Sequence, residues 1–429
     1  MSRFLQILTN IWKTPELRNR ILFTLALLLI FRIAAFIPIP GVNLAALRNL
    51  FAGNQLLGLL DVFSGGTLTN FSIVALGLNP YINASIIMQL LTMAIPKLDE
   101  LSREGEYGQR KINQYTRYIA VPLSAIQAYG VVIFLSKSQN IITLSSPLQL
   151  VAMVVTLTAG TIFLMWLGEL ITESGLGNGI SVIIFAGIVG RLPVVVGQTA
   201  AVFNPDQITN VLILAAAGLA VVAAVTFVSE GQRMIQVHYA RRVRPDGSMG
   251  AAQSTYLPLR VNQAGVIPII FASSLLLVPG LLANFLATVA TGPILGVATN
   301  VNNFLQNHLY YGSLYFVLTV LFTFFYTAVT FNPDKIADEV KKYGGFIPGI
   351  RPGQPTADYL NYVLTRVTVI GALFLGAVAV LPFIMQSVTG ITTLVIGGTG
   401  LLIIVSVALE TMKQLQSMLV MRSYEGFLS

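Results

Sequence analysis

Few residues in this chain have the type and spacing for covalent chemistry. Gly175-Leu-Gly-Asn-Gly179 has the glycine density of a phosphate cradle, but no strand precedes it and it joins two apolar runs. It reads as a tight turn between them. No G-x-x-x-x-G-K-[ST] loop is present, and the absence of cysteine excludes disulfides and thiolate metal or redox sites. His238 and His308 fall on opposite sides of the membrane by the topology derived below, so they share no metal. An ion-coupled transporter is expected to hold ionisable groups at membrane depth. Glu169, Glu230 and Glu410 stand towards cytoplasmic ends of apolar runs, Asp61 precedes one, and Arg32 is the one charge well inside a run. Arg32 reads as snorkelling or pairing with a neighbour. No enzymatic centre, metal site or cofactor is expected.

Isoleucine recurs instead. Ile82 and Ile86 lie four apart, as do Ile180 and Ile184, while Ile267 and Ile270 are three apart, so each pair shares a helix face. Isoleucine is ordinary in helices that face lipid. On helices that also carry breaks, such side chains suit a collar that closes a pore by dewetting and steric fit. A collar without charge or a fixed hydrogen-bond pattern would not select one solute.

The elements that must position these residues are membrane spans. Of the 429 residues 55% are apolar and 10% charged, against roughly 25% charged in soluble domains, so the chain is a polytopic membrane protein. A crossing helix needs about 20 apolar residues. Ten spans meet that need: about 21–37, 72–95, 118–136, 149–169, 179–197, 209–229, 262–284, 309–331, 364–385 and 392–412. Lys and Arg collect in the loops after spans two, six and eight, whereas the opposite face shows Arg48, Lys137 and Arg191. Positive residues mark the cytoplasmic side, which puts both termini there. The net charge of +8 is therefore mostly topological, although such a face also suits anionic lipid or an acidic or RNA-containing partner.

Span two contains Gly77-Leu-Asn79-Pro80-Tyr-Ile-Asn-Ala84-Ser85 and span seven Gly265-Val-Ile-Pro268-Ile-Ile-Phe-Ala272-Ser273. Gly, Pro, Ala and Ser recur at the same offsets. These are the second helices of two five-span halves, 1–205 and 206–429, and five being odd, the halves run in opposite senses. The expected fold is all-α, with ten transmembrane helices in an inverted repeat. Asn79, Pro80 and Pro268 are expected to break these helices, which is tolerated where a helix lines protein or a watery cavity rather than lipid.

The stretch before span two is a poor spanning segment. Residues 55–63, including Leu59, Leu60 and Phe63, fit membrane depth only inside a protein-lined funnel. Phe63-Ser64-Gly65-Gly66 reads as a flexible hinge, and the spanning helix is expected from about Phe71. The cytoplasmic loops 230–261 and 332–363 are long and basic, and the second, rich in Gly and Pro, reads as a docking finger. Three readings remain open: a passive gated protein channel, a secondary transporter of small solutes, and an insertion scaffold without a pore.

Against that background the chain closely resembles the SecY family, the channel subunit of the general protein-secretion translocase. The resemblance is carried by "FRIAAFIPIPG" (31–41), "FSGGTLTNFSIVALGLNPYINASIIMQLL" (63–91), "GQRKINQYTRY" (108–118), "GNGISVIIFAGI" (177–188), "AAQSTYLPLRVNQAGVIPIIFASS" (251–274) and "GGFIPGIRPGQPTADYL" (344–360), in family order. It implies two halves around an hourglass pore, through which a signal-sequence-bearing polypeptide threads. A lateral gate between spans two and three and spans seven and eight would open to the lipid bilayer. By the same resemblance Ile82, Ile86, Ile184, Ile270 and Ile403 form the pore ring. Residues 55–66, with Leu59, Leu60, Phe63, Ser64, Gly65 and Gly66, form the plug and its hinge. Arg351 in "PGIRPG" and the Arg241, Arg242 and Arg244 loop match motor- and ribosome-docking positions, although Asp246 makes the loop tip less basic than the family pattern. The implied partners are a SecE-type clamp helix, a SecG-type small subunit, a SecA-type ATPase and the ribosome, with no nucleic acid beyond ribosomal RNA. The implied location is a bacterial-type plasma membrane, or a thylakoid membrane where the source has one.

Overall fold

The computed structural model describes residues 14–53, 61, 64–137, 141–142, 146–201, 208–239, 254–289, 293–389 and 398–425. Leu59, Leu60, Phe63, Arg241, Arg242 and Arg244 lie outside the described residues, as does Asp246. The N-terminal part contains α1 (Pro15–Phe36), α2 (Leu44–Gly53), α3 (Asn79–Ala94), α4 (Pro96–Arg103), α5 (Glu106–Lys137), α6 (Pro147–Ser174) and α7 (Gly179–Ala201). The C-terminal part contains α8 (Ile208–Glu230), strands β1 (Gln232–Tyr239) and β2 (Ser254–Arg260), α9 (Ile267–Val289), α10 (Pro293–Gln306) and α11 (His308–Thr330). It continues with α12 (Pro333–Lys342), β3 (Gly345–Phe346), α13 (Gln354–Thr389) and α14 (Gly398–Glu425).

The helices α1, α3, α5, α6, α7, α8, α9, α11, α13 and α14 overlap the ten expected spans. Five described segments are each long and apolar enough to cross a membrane alone, on α1, α5, α6, α11 running into α12, and α13. The outer faces of the helices suit lipid: Leu29 of α1 is 63%, and Leu219 and Phe227 of α8 are 73% and 81% exposed, which water would penalise and acyl chains do not. Local signals set several helix starts. The Ser146 side chain accepts the Gln149 amide ahead of α6, Asn307 accepts from Leu309 at α11, and Asn332 from Lys335 at α12.

Packing joins α3 to α5, α5 to α6 and α6 to α7 in the first five spans, and α9 to α11 and α11 to α13 in the second five, with α8 on α14. Between the two sets, α9 lies against α3 and α5, and α14 lies against α7. Ion pairs tie helix ends: Arg117 to Glu169 at 2.6 Å between α5 and α6, and Lys413 to Glu230 at 2.8 Å between α14 and α8.

The structure adds to one expectation and corrects another. The loops after spans six and eight combine into a three-stranded sheet, ordered β2-β1-β3, an addition to the all-α reading. β1 and β2 pair antiparallel from Gln232–Arg260 to His238–Ser254, and His238 pairs with Phe346 of β3. Ile235, Val237, Leu259, Ile347 and Leu360 form the core beneath this sheet. The correction concerns span two. Residues 64–78 are turns, and helix begins only at Asn79. Its partner from span one is pinned to the turn, with the Ile39 amide donating to the Phe71 carbonyl at 2.9 Å and the Ile73 amide to Ile37 at 3.0 Å.

Candidate functional site

Gly77 and Gly265 adopt left-handed backbone at φ 59° and 64°, conformations that favour glycine. Two residues later, at Asn79 and at Ile267, α3 and α9 start. Pro80 and Pro268 therefore occupy the second position of each helix, where the missing N–H removes no ladder bond. The expected role of Asn79, Pro80 and Pro268 as breaks inside a helix does not hold, because all three lie in the first turn. The internal prolines are Pro122, Pro193, Pro279 and Pro382. Five residues after each glycine stand Ile82 and Ile270, whose amides bond the carbonyls of Leu78 and Val266. Ala84 and Ala272 are fully buried in both copies.

These starts place two of the predicted ring isoleucines at corresponding depths of two facing helices. Ile184 comes from α7 and Ile403 from α14. Ile82, Ile184, Ile270 and Ile403 are all buried within one continuous hydrophobic cluster, and Ile86 packs against it. The cluster draws these five side chains from four helices across both sets of spans, and every member is apolar or Tyr. Such a junction excludes water and ions without binding any one solute.

Beside it runs the turn segment 64–78. Gly65 and Gly66, the expected flexible hinge, have φ of 74° and 84°, and both make close contacts. A Cβ on Gly65 would stand 2.6 Å from Gly187 Cα in α7, so the two backbones touch. Gly66 donates its amide to the Asp61 carbonyl at 2.8 Å. The Ser64 hydroxyl donates to the same carbonyl at 3.0 Å. Thr67, Phe71, Ser72, Val74 and Ala75 are fully buried.

Sequence reasoning missed the charges that fix this turn. The buried Asp61 carboxylate accepts the Thr69 amide at 2.9 Å and also the Thr69 hydroxyl. Its ion partner is Arg191 of α7, one of the few cations expected on the face opposite the cytoplasm. Arg32 reaches the same turn of α7, its guanidinium 3.5 Å from the Gly187 carbonyl oxygen, and a Cβ at Gly190 would overlap it. The available signal was three charges (Asp61, Arg32 and Arg191) in or beside apolar runs.

On the sheet side, Arg351 is exposed between two left-handed glycines, Gly349 and Gly353. Its loop is held by buried Ile347, by Ile350 packed beside it, and by the Thr356 hydroxyl donating to the Arg351 carbonyl at 2.9 Å. Phe346 is 42% exposed and stacks on His238.

A sequence profile of the SecY family matches residues 72–412, most of the chain. The chain belongs to the SecY family. It is similar to the protein translocase subunit SecY of Mycobacterium bovis, 44% identical over 440 residues that cover 97% of this chain and 98% of that one. Among solved structures it is similar in fold to one described as the structure of a protein conducting channel, with a TM-score of 0.64, 18% identity and 93% and 91% of the two chains covered. Another is Sec61 in the canine ribosome–channel complex from the endoplasmic reticulum, with a TM-score of 0.60, 18% identity and the same shares. SecY membership selects the protein channel among the three functional readings and makes the chain a multi-pass membrane protein.

Proposed function

We propose that this SecY-type chain is the central, passive subunit of a protein-conducting channel, with Ile82, Ile86, Ile184, Ile270 and Ile403 as its constriction. The observation that carries this reading is the gathering of these isoleucines, from four helices of both sets of spans, into one uncharged cluster. The chain divides at about residue 205 into two halves that meet around that ring. The seam of α9 against α3 and α5 is the lateral gate through which transmembrane segments pass into lipid. Residues 55–66 are the plug, and Ser64, Gly65 and Gly66 its attachment to the gate helix.

Lys and Arg distribution orients the channel with both termini and the β-sheet on the cytoplasmic side of a bacterial-type plasma membrane. There Arg351, with the Arg241, Arg242 and Arg244 loop, docks the ribosome or a SecA-type ATPase, which supplies the energy. SecE-type and SecG-type membrane subunits complete the assembly. The chain itself catalyses no reaction.

The ring is tested by placing a polar group in it. Ile82→Asn or Ile403→Asn should admit water to the constriction, raise resting ion conductance and let defective signal sequences pass. Both readouts staying at the parental level would contradict the ring.

A further inference from the structure

We propose that Asp61 and Arg191 form an electrostatic latch that holds the Asp61–Gly66 end of the plug to α7 and sets how strong a signal sequence must be to open the channel. This rests on residues 55–66 being the plug. Asp61 is 0% exposed, and its carboxylate is satisfied by the Arg191 guanidinium together with the Thr69 amide and hydroxyl. Its carbonyl is occupied as well, by the Gly66 amide and the Ser64 hydroxyl. Asp61 is thus the knot of the turn that joins the plug to the gate helix. The Arg191 stem runs beside Gly66, with Cδ 3.6 Å from where a Cβ would stand. Gly65 lies backbone to backbone on Gly187, one helical turn from Arg191. The segment and α7 are therefore shaped for close contact, and the ion pair closes it.

The strength of such a pair depends on its surroundings. In a dry junction, removing one partner strands the other charge at a large cost. Once water reaches the pair, its contribution falls to the small value of an exposed ion pair. The latch is accordingly firm in the resting, sealed channel and weak as soon as a polypeptide and water enter. Opening then becomes switch-like: wetting weakens the contact that prevents wetting. Arg32 bonds the Gly187 carbonyl on the same turn of α7. Departure of Asp61 would leave Arg191 without its carboxylate, which favours return of the plug.

The two partners are unequal, and this gives the proposal its sharpest consequence. The Asp61 side chain is wholly buried, whereas that of Arg191 is 27% exposed and can turn to water. Arg191→Gln leaves a buried carboxylate held by Thr69 alone. Asp61→Asn leaves a neutral amide that still bonds Thr69, beside an arginine free to hydrate. Arg191→Gln should therefore loosen the plug more than Asp61→Asn.

The natural chain has no cysteine, so one reporter thiol is unambiguous. Ser64→Cys places it at a site 5% exposed. The experiment uses the full chain with its membrane subunits in vesicles and measures the rate at which a membrane-impermeant maleimide modifies that thiol. A stalled secretory chain should raise the rate. In the idle channel Arg191→Gln should raise it about tenfold or more, and Asp61→Asn by less. Asp61→Arg combined with Arg191→Asp should return it towards the parental value. Export of a reporter with a defective signal sequence should follow the same order.

No rise with a stalled chain would overturn the plug assignment. A rise with the stalled chain but none with either idle single variant would overturn the latch while leaving the plug standing. A swapped pair no slower than the single variants would also overturn it. If Arg191→Gln fails to co-purify with its partners, Asp61→Asn against the swapped pair decides alone.

Discussion

The two gate helices, α3 and α9, begin alike and are entered differently. Each follows a left-handed glycine, carries proline at its second position and presents an isoleucine five residues on. Before Gly77 the chain is a buried turn segment tied to α7 by Asp61, Gly65 and Gly66. Before Gly265 it is β2, paired to β1 on the sheet that presents Arg351. In the proposed channel the repeated part builds the constriction, with a matching wall from each half. The unrepeated lead-in is where the two copies diverge, one into the proposed seal and the other into the proposed docking surface. A single helix-start design serves both lead-ins because its requirements, a positive φ and a proline without a ladder bond, are local.

The largest effect that would break this comparison lies on the docking side. Arg351→Glu should reduce ATPase-driven export at least about a hundredfold in reconstituted vesicles, comparable with losing a charge pair at a docked interface. Membrane assembly and the resting seal should stay intact, since Arg351 is exposed. Normal export rates would remove the docking role from the C-terminal lead-in.

A smaller effect belongs to the sealing side. Gly65→Ala puts a methyl 2.6 Å from the Gly187 backbone in a left-handed conformation that costs an L-residue roughly 1–2 kcal/mol. Resting conductance should rise several-fold while motor-stimulated export of a normal precursor persists. An unchanged seal would mean that the contact between these two glycines is not what holds the segment.

The smallest effect sharpens the shared helix start. Pro80→Ala and Pro268→Ala should each change thermal stability of the purified complex by less than about 1 kcal/mol, because proline at the first turn interrupts no bond. A stabilisation near 3 kcal/mol, the cost of an interior proline, would restore the reading of a broken helix.

Much of the architecture was legible in the sequence because hydropathy reports membrane depth and composition reports lipid. The apolar runs that overlap the helices, the repeated Gly-Pro-Ala-Ser spacing and the isoleucine pairs all follow from patterns within about 20 residues. The start of α3 was not legible by hydropathy, since residues 72–78 are apolar yet form turns. Apolarity says that a residue is out of water and does not say that it is helical. The sheet carried a weaker signal: Ile235 and Val237 are buried two residues apart in β1, the period of a strand, but its partners come from after a separate loop and from β3. The Asp61–Arg191 pair spans 130 residues, and no local rule connects them. Only the packing of the turn on α7 brings them together.

The central claim is that both gate helices line one passage for a polypeptide. Photoreactive groups placed singly at Ile82 and at Ile270 test it most directly, with one secretory chain stalled at a defined length. Both positions should capture the same short stretch of that chain, since each isoleucine stands five residues after the glycine that starts its helix. Capture of lipid or neighbouring subunits alone, from either position, would contradict the channel.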